Sequence, residues 1–323
     1  MRRFVAVATI ALSWFTASQF ARSETAYPSR QIRLIVPQSP GTASDFLART
    51  IAQNISSRVG QPIVVENIAG AGGILGSTST LHAAADGYTL ALVGPSHVSN
   101  TLLKKTPPYR LLEDFTAVAK IASMPNVIVA SAQGRNRTVA DLVKAAADRP
   151  GELNFGSVGM GSSSHLAVEL FVHTVGIKAT HVPYRAQSTL VSDLIGDRVQ
   201  FYSAPLAAVM PLLLNKQAVA LCVGARDRVG LLPETPTMIE LGYRDYTSDS
   251  WFGLVGPAGL DASIVKRLDT ELERTLADSA IRATLASQGA LPSYSGPGEL
   301  IGLQRAELEQ TRRILQFIDF KPE

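Results

Sequence analysis

The sequence predicts an α/β protein of two lobes, each a mainly parallel sheet flanked by helices. Three observations predict it. Short β-branched runs alternate with segments of helical spacing through residues 32–223, which is the pattern of parallel strands with helices on both faces. The alternation falls into an early and a middle block, and each block has a glycine- and serine-rich corner between a strand and a helix. The last third reads as one strand and then helices, as a tail would if it returned to complete the first lobe. The 323 residues suffice for about two domains. The expected division is a first, discontinuous lobe of 24–128 and 250–323, and a second of 129–249. The chain then crosses between lobes twice.

Ile32-Arg-Leu-Ile-Val36 is a strand that Pro37 stops, and Pro40-Gly41 is a turn. Ser44 is the expected N-cap, with Asp45 in the first turn. Leu47, Ile51, Ile55 and Val59 follow at helical spacing, and Gly60 ends the helix. Residues 63–65 form the next strand. The cluster Gly70-Ala-Gly-Gly73 opens a helix to Ala84, and 88–93 is a strand after the turn Asp86-Gly87. In the middle block, 153–155 is a strand, 156–164 a loop and 165–175 a helix. Residues 180–182, 199–203 and 218–223 are strands, and 190–195 is helical. In the tail, 251–255 is a strand, and 262–278, 279–288 and 297–317 are helical.

The N-terminus reads as an export signal. Arg2 and Arg3 precede the apolar run 4–15, which is too short to span a bilayer, and cleavage is expected after Ser23. Losing residues 1–23 turns the net charge of +3 into 27 basic against 27 acidic side chains. The charge balance therefore gives no argument for nucleic acid, and no Lys/Arg stripe interleaves with aromatics. The single cysteine, Cys222, excludes an intrachain disulfide and a cysteine zinc site. It lies in an apolar run and reads as a core residue.

Two loops carry the functional expectation. They run from Pro37 through Gln38, Ser39, Pro40, Gly41, Thr42 and Ser44 to Asp45, and from Gly156 through Gly161, Ser162, Ser163 and Ser164 to His165. In open α/β sheets, ligands sit at the carboxyl ends of strands. There the free amides of a helix start favour an anion without any Arg or Lys. The loop Gly70-Ala-Gly-Gly-Ile-Leu-Gly76 imitates a dinucleotide fingerprint, but its glycine spacing is G-x-G-x-x-x-G and no acid closes the next strand. It reads as mainly structural, so no cofactor is expected. The five histidines lack metal-ligand spacing, and neither G-x-S-x-G nor H-E-x-x-H occurs. Ser162–Ser164 beside His165 could suggest a nucleophile and its base, but adjacent helical residues seldom face each other. Capping accounts for them better.

Together these residues resemble a known family. Tyr27-Pro-Ser-Arg-Gln-Ile-Arg-Leu-Ile-Val-Pro37, Pro40-Gly41, Asp45, Gly60-Gln-Pro-Ile-Val-Val-Glu-Asn67 and Asp86-Gly-Tyr-Thr-Leu90 are similar to the substrate-binding proteins of tripartite tricarboxylate transporters, the Bug receptors. The resemblance continues through Gly161-Ser-Ser-Ser-His-Leu166, Val182-Pro-Tyr184, Leu194-Ile-Gly196 and Ser250-Trp-Phe-Gly-Leu254. It implies a two-lobed periplasmic-binding-protein fold that closes on a small organic carboxylate. It also implies integral membrane transporter subunits as partners, a periplasmic location and no enzymatic activity. The family's carboxylate loops map onto Pro40, Gly41, Thr42 and Asp45, and onto Gly161, Ser162, Ser163, Ser164 and His165, with Tyr184 lining the cleft. Gln38 and Thr42 depart from the family's usual aromatic and glycine. Ala204 and Pro205 replace its usual Asp-Asn pair, which favours a less polar ligand such as an aromatic carboxylate. Hinge rotation is expected near 126–131 and 247–251. An exported serine esterase and a ligand sensor docking on a signalling protein are the competing readings.

Overall fold

The computed structural model describes residues 27–244, 246–318 and 320–322; the export signal and its cleavage site lie outside them. The first block forms β1 (Ile32–Val36), α1 (Ala43–Val59), β2 (Ile63–Asn67), α2 (Ile74–Leu81), β3 (Thr89–Val93) and α3 (Pro95–Ser99). β1 lies between β2 and β3, parallel to both, with Leu34 opposite Val65 and Leu90. A strand flanked on both edges and covered on both faces needs a continuous apolar run. Ile32, Leu34, Ile35 and Val36 supply it, each at most 3% exposed.

Next comes β4 (Phe115–Ser131), a single strand of 17 residues. Up to Pro125 it pairs antiparallel with β9 (Asp249–Pro257) and with β10 (Leu291–Ser295). From Asn126 onward it pairs with β7 (Phe201–Pro205) and β8 (Ala218–Val223). Pro125 has no amide to donate, so it fits the residue where a strand leaves one sheet for another. The middle block adds α4 (Val139–Asp148), β5 (Asn154–Ser157), α5 (Ser163–Val175), β6 (Thr180–Pro183), α6 (Gln187–Ile195) and α7 (Leu206–Leu214). β5 is parallel to β6 and β7. Strands joined through helices are thus parallel, and those contributed by the crossings are antiparallel. The result is one curled mixed sheet in two lobes, in the order β2-β1-β3-β9-β4-β7-β5-β6.

The tail forms α8 (Ala262–Ala277), α9 (Ser279–Ser287) and α10 (Pro297–Phe317). Asp278 separates the first two by capping α9 through its carboxylate. The largest core cluster joins Leu47, Ile51 and Ile55 of α1 to Leu268 and Leu272 of α8 and to Val127 and Val209 beyond the crossing. A second core, around Phe155, Phe171 and Phe201, belongs to the middle block. Leu166 of α5 packs with Ile314 and Leu315, so α10 reaches the second lobe as well. Among the described residues no helix is long and apolar enough to cross a membrane.

The two crossings are tied together. Asn126 N–H donates to the Ser248 carbonyl at 3.0 Å, and its own carbonyl accepts from Gly224 N–H at 2.8 Å. Its side-chain amide donates to Ser248 Oγ at 3.0 Å and accepts from Ser250 Oγ at 3.1 Å.

Candidate functional site

The two helix starts singled out by sequence are built on one plan. Gly41 and Gly161 both adopt left-handed backbone, at φ +79° and +73°, a conformation that costs other residues a Cβ clash. Thr42 and Ser162 follow as N-caps, accepting from Asp45 N–H at 3.4 Å and His165 N–H at 3.3 Å. The expected cap Ser44 is therefore corrected to Thr42. Ser44 lies buried one residue inside α1, and its hydroxyl donates to Gln38 Oε1 at 2.7 Å. In each loop the third helical side chain turns back on the glycine. Gly41 N–H donates to Asp45 Oδ2 at 3.0 Å, and Gly161 N–H donates to His165 Nδ1 at 3.0 Å. The amides of Ala43 and Ser44, and of Ser163 and Ser164, have no hydrogen-bond partner among the described residues.

The rest of the first loop is tightly held. Thr42 Oγ1 donates to the Ser39 carbonyl at 2.9 Å, and Asn67 Nδ2 donates to that of Gln38 at 3.0 Å. Ser39, Pro40 and Gly41 are exposed. Burial pushes the Asp45 carboxyl up, but Arg49 (2.9 Å away), the Gly41 amide and Asn67 outweigh it and hold it below the usual carboxylate range. Gln38 and Ser44 line a crevice of only ≈ 10 Å³ with Gly73 of the third glycine loop, Ser77 of α2, and Ser96 and His97 of α3. The expectation that 70–73 opens a helix to Ala84 is amended: 71–73 is a 3₁₀ turn and α2 ends at Leu81.

Ser163 faces a larger cavity, ≈ 210 Å³, between the lobes. Pro95 and Ser99 of α3 also line it, so α3 borders both spaces. One wall is apolar, with Leu166, Ala167, Leu170 and Ile314. The lining also carries Lys120, Asn126, Asp249 and Glu307, none of them expected to line a site, although Asn126 and Asp249 fall in the expected hinge segments. A solitary lysine in the apolar run 117–122 was the available clue. Burial weakens every charge here. It raises the Asp249 carboxyl to about 6, partly opposed by Lys120, and it lowers the Lys120 ammonium and raises Glu307.

Other expected site residues sit elsewhere. His165 is 3% exposed, and its Nε2 lies 3.2 Å from Glu169 Oε1, so both ring nitrogens are committed within its own lobe. It stands behind the loop and offers no base to Ser162 or Ser163. Tyr184 donates to Asp193 at 2.7 Å in the same lobe. Ala204 is 5% exposed and packs in the large core, while Pro205 caps α7 opposite Asn126. Among the described residues no group of three or more His, Cys, Asp or Glu could hold a metal ion.

Comparison with known proteins fits this geometry. The protein BugT of Bordetella pertussis is 33% identical over 312 residues, 96% of this chain and 95% of its own. An R. palustris protein solved with adipate superposes with a TM-score of 0.84 at 32% identity, covering 92% of this chain and all (100%) of the other. MatC from Rhodopseudomonas palustris, solved with bound malate, gives a TM-score of 0.80 at 28% identity, covering 90% and 100%. These are binding proteins rather than enzymes. Residues 47–320 match the family described as the tripartite tricarboxylate transporter family receptor, and the chain belongs to that family.

Proposed function

We propose that the protein is an exported receptor that captures a small organic carboxylate between its lobes and delivers it to the integral membrane subunits of a tripartite tricarboxylate-type transporter. The reading rests on one observation: each lobe presents a helix start whose next two amides, Ala43 with Ser44 and Ser163 with Ser164, are unpaired. Such amides and the helix dipole favour an anion. Each hydrogen bond to a carboxylate contributes about 1.5–3 kcal/mol. A few of them, offset by closure and desolvation, support micromolar binding.

The contacting residues are those of the loops Gln38–Ser44 and Gly161–Ser164. The lobes divide at the β4 and β9 crossings, where closure takes place. Relatives solved with adipate and malate favour a diacid of that size, and the apolar wall beside Ser163 suits a hydrocarbon chain. The test is a thermal-shift panel of mono-, di- and aromatic carboxylates on refolded, ligand-free protein, followed by calorimetry. A ligand at one hundred times its Kd adds about 2.7 kcal/mol of stability. Silence across the panel refutes the reading. Replacing Ser163 with tryptophan is expected to abolish the shift while leaving the unliganded melting temperature in place.

A further inference from the structure

The loops Gly41-Thr-Ala-Ser-Asp45 and Gly161-Ser-Ser-Ser-His165 run in step: a left-handed glycine, a hydroxyl N-cap, a variable residue, a serine, then a side chain that accepts the glycine amide. The acceptor is a carboxylate in one loop and an imidazole nitrogen in the other, at the same 3.0 Å. We propose that Asp45 and His165 are matched positioning residues. Neither touches the ligand; each pins the glycine before the N-cap, so that the next two amides stay unpaired and free for an anion. This rests on the carboxylate-receptor reading and says how the two half-sites are held in shape.

The chemistry of the second loop is specific. His165 accepts on Nδ1, so that nitrogen carries no proton. Its Nε2 must bear the hydrogen and donate to Glu169 Oε1, 3.2 Å away. The tautomer is therefore dictated from both sides. The ring is held in place by a stack on His181 (centroids 4.0 Å apart). His181 continues the same frame. Its Nε2 lies 2.6 Å from Ser157 Oγ, which accepts the Gly159 amide at 3.1 Å. Side chains behind the loop thus occupy the amides of Gly159 and Gly161, and those of Ser163 and Ser164 remain for an anion. In the first loop the charge of Asp45 is matched by Arg49 at 2.9 Å.

Two substitutions separate this role from general support of the fold. In His165→Asn the side-chain oxygen replaces Nδ1 as acceptor; in His165→Gln the amide reaches the Nε2 position and leaves Gly161 without a partner. Amide exchange by NMR on the ligand-free protein gives a readout that needs no substrate. Losing one hydrogen bond is expected to speed Gly161 exchange about five- to tenfold in H165Q, and H165N is expected to match the parent. In the parent, scalar coupling across the hydrogen bond between Gly161 nitrogen and His165 Nδ1, with nitrogen shifts of an Nε2-protonated ring, checks the geometry without any variant. Absence of that coupling, or equal Gly161 exchange in all three proteins, overturns the proposal. Acetate is the probe for the half-site. It is expected to shift the Ser163 and Ser164 amide signals in the parent and H165N, and weakly or not at all in H165Q. Acetate shifts of equal size in H165Q overturn the positioning role. Acetate that moves neither amide in any of the proteins, alongside an intact exchange result, refutes the carboxylate reading and leaves His165 as the residue that holds the loop.

Discussion

Gly161→Ala separates the cost of closure from the cost of folding. Gly161 belongs to the second lobe, and a Cβ built there would sit 2.5 Å from both methyl carbons of Leu103 and 3.0 Å from its Cγ. Leu103 follows α3 on the other side of the crossings. The substitution therefore has two effects of different kinds. The left-handed backbone at φ +73° costs an alanine about 1 kcal/mol however the lobes are arranged. The overlap with Leu103 exists only when the lobes meet as they do here; the atoms met are the methyl ends of a half-buried leucine that can turn aside, so it costs about 1 kcal/mol, the low end for overpacking. Urea denaturation is expected to report the backbone cost. Calorimetry with the best carboxylate of the panel is expected to show affinity down about fivefold. Leu103 also packs against Leu166, Ile314 and Leu315, so Leu103→Ala is not silent, and the decisive comparison is the double variant. In the Leu103→Ala background the alanine at 161 has no methyls to meet, and its affinity cost is expected to fall to within about 0.5 kcal/mol of zero. If G161A weakens binding equally in both backgrounds, or not at all in a folded protein, the reasoning about this contact is wrong.

Two further outcomes follow from burial. His97 stacks on Tyr109 with centroids 4.8 Å apart, meets Ser77 Oγ at 3.0 Å, and is pushed by burial from 6.5 to about 3. The folded state keeps it neutral, so its contribution is complete above pH 6.5 and is lost as pH falls toward 3; at ~1.36 kcal/mol per pH unit the total is roughly 5 kcal/mol. His97→Gln is expected to flatten the urea-measured stability profile over that window, and parallel profiles would show that the histidine does not carry the acid sensitivity. Cys222 is buried and its thiol is pushed up by burial, so a thiol reagent is expected to label it only at the rate of unfolding. Labelling of native protein within minutes would contradict that.

What the sequence made legible was local chemistry. β1 is apolar throughout because it is covered on both faces, and α1 follows from Leu47, Ile51, Ile55 and Val59. The two glycine-serine corners stood out because left-handed glycines and hydroxyl caps leave a composition trace. What stayed hidden depends on distant partners. β4 had no counterpart in the sequence reading, which assigned no element between 93 and 153, and its Pro125 lies where the strand changes sheets. Ser44 was read as a cap because serine suits the position; the fold gives the cap to Thr42 and sends Ser44 to Gln38. His165 was read as facing a ligand, since nothing in its spacing shows that Gly161 and Glu169 claim its two nitrogens. Lys120, Asp249 and Glu307 are far apart in sequence, and only the crossing of β4, β9 and α10 gathers them around one cavity.

The knot at Asn126 bears on mechanics. Its backbone and side chain fasten β4 to the strand that returns at Ser248 and Ser250, so the two connecting ribbons cannot slide past one another or swing separately. If the lobes close as proposed, these ribbons bend as one unit, and the two helix starts return to the same mutual alignment each time.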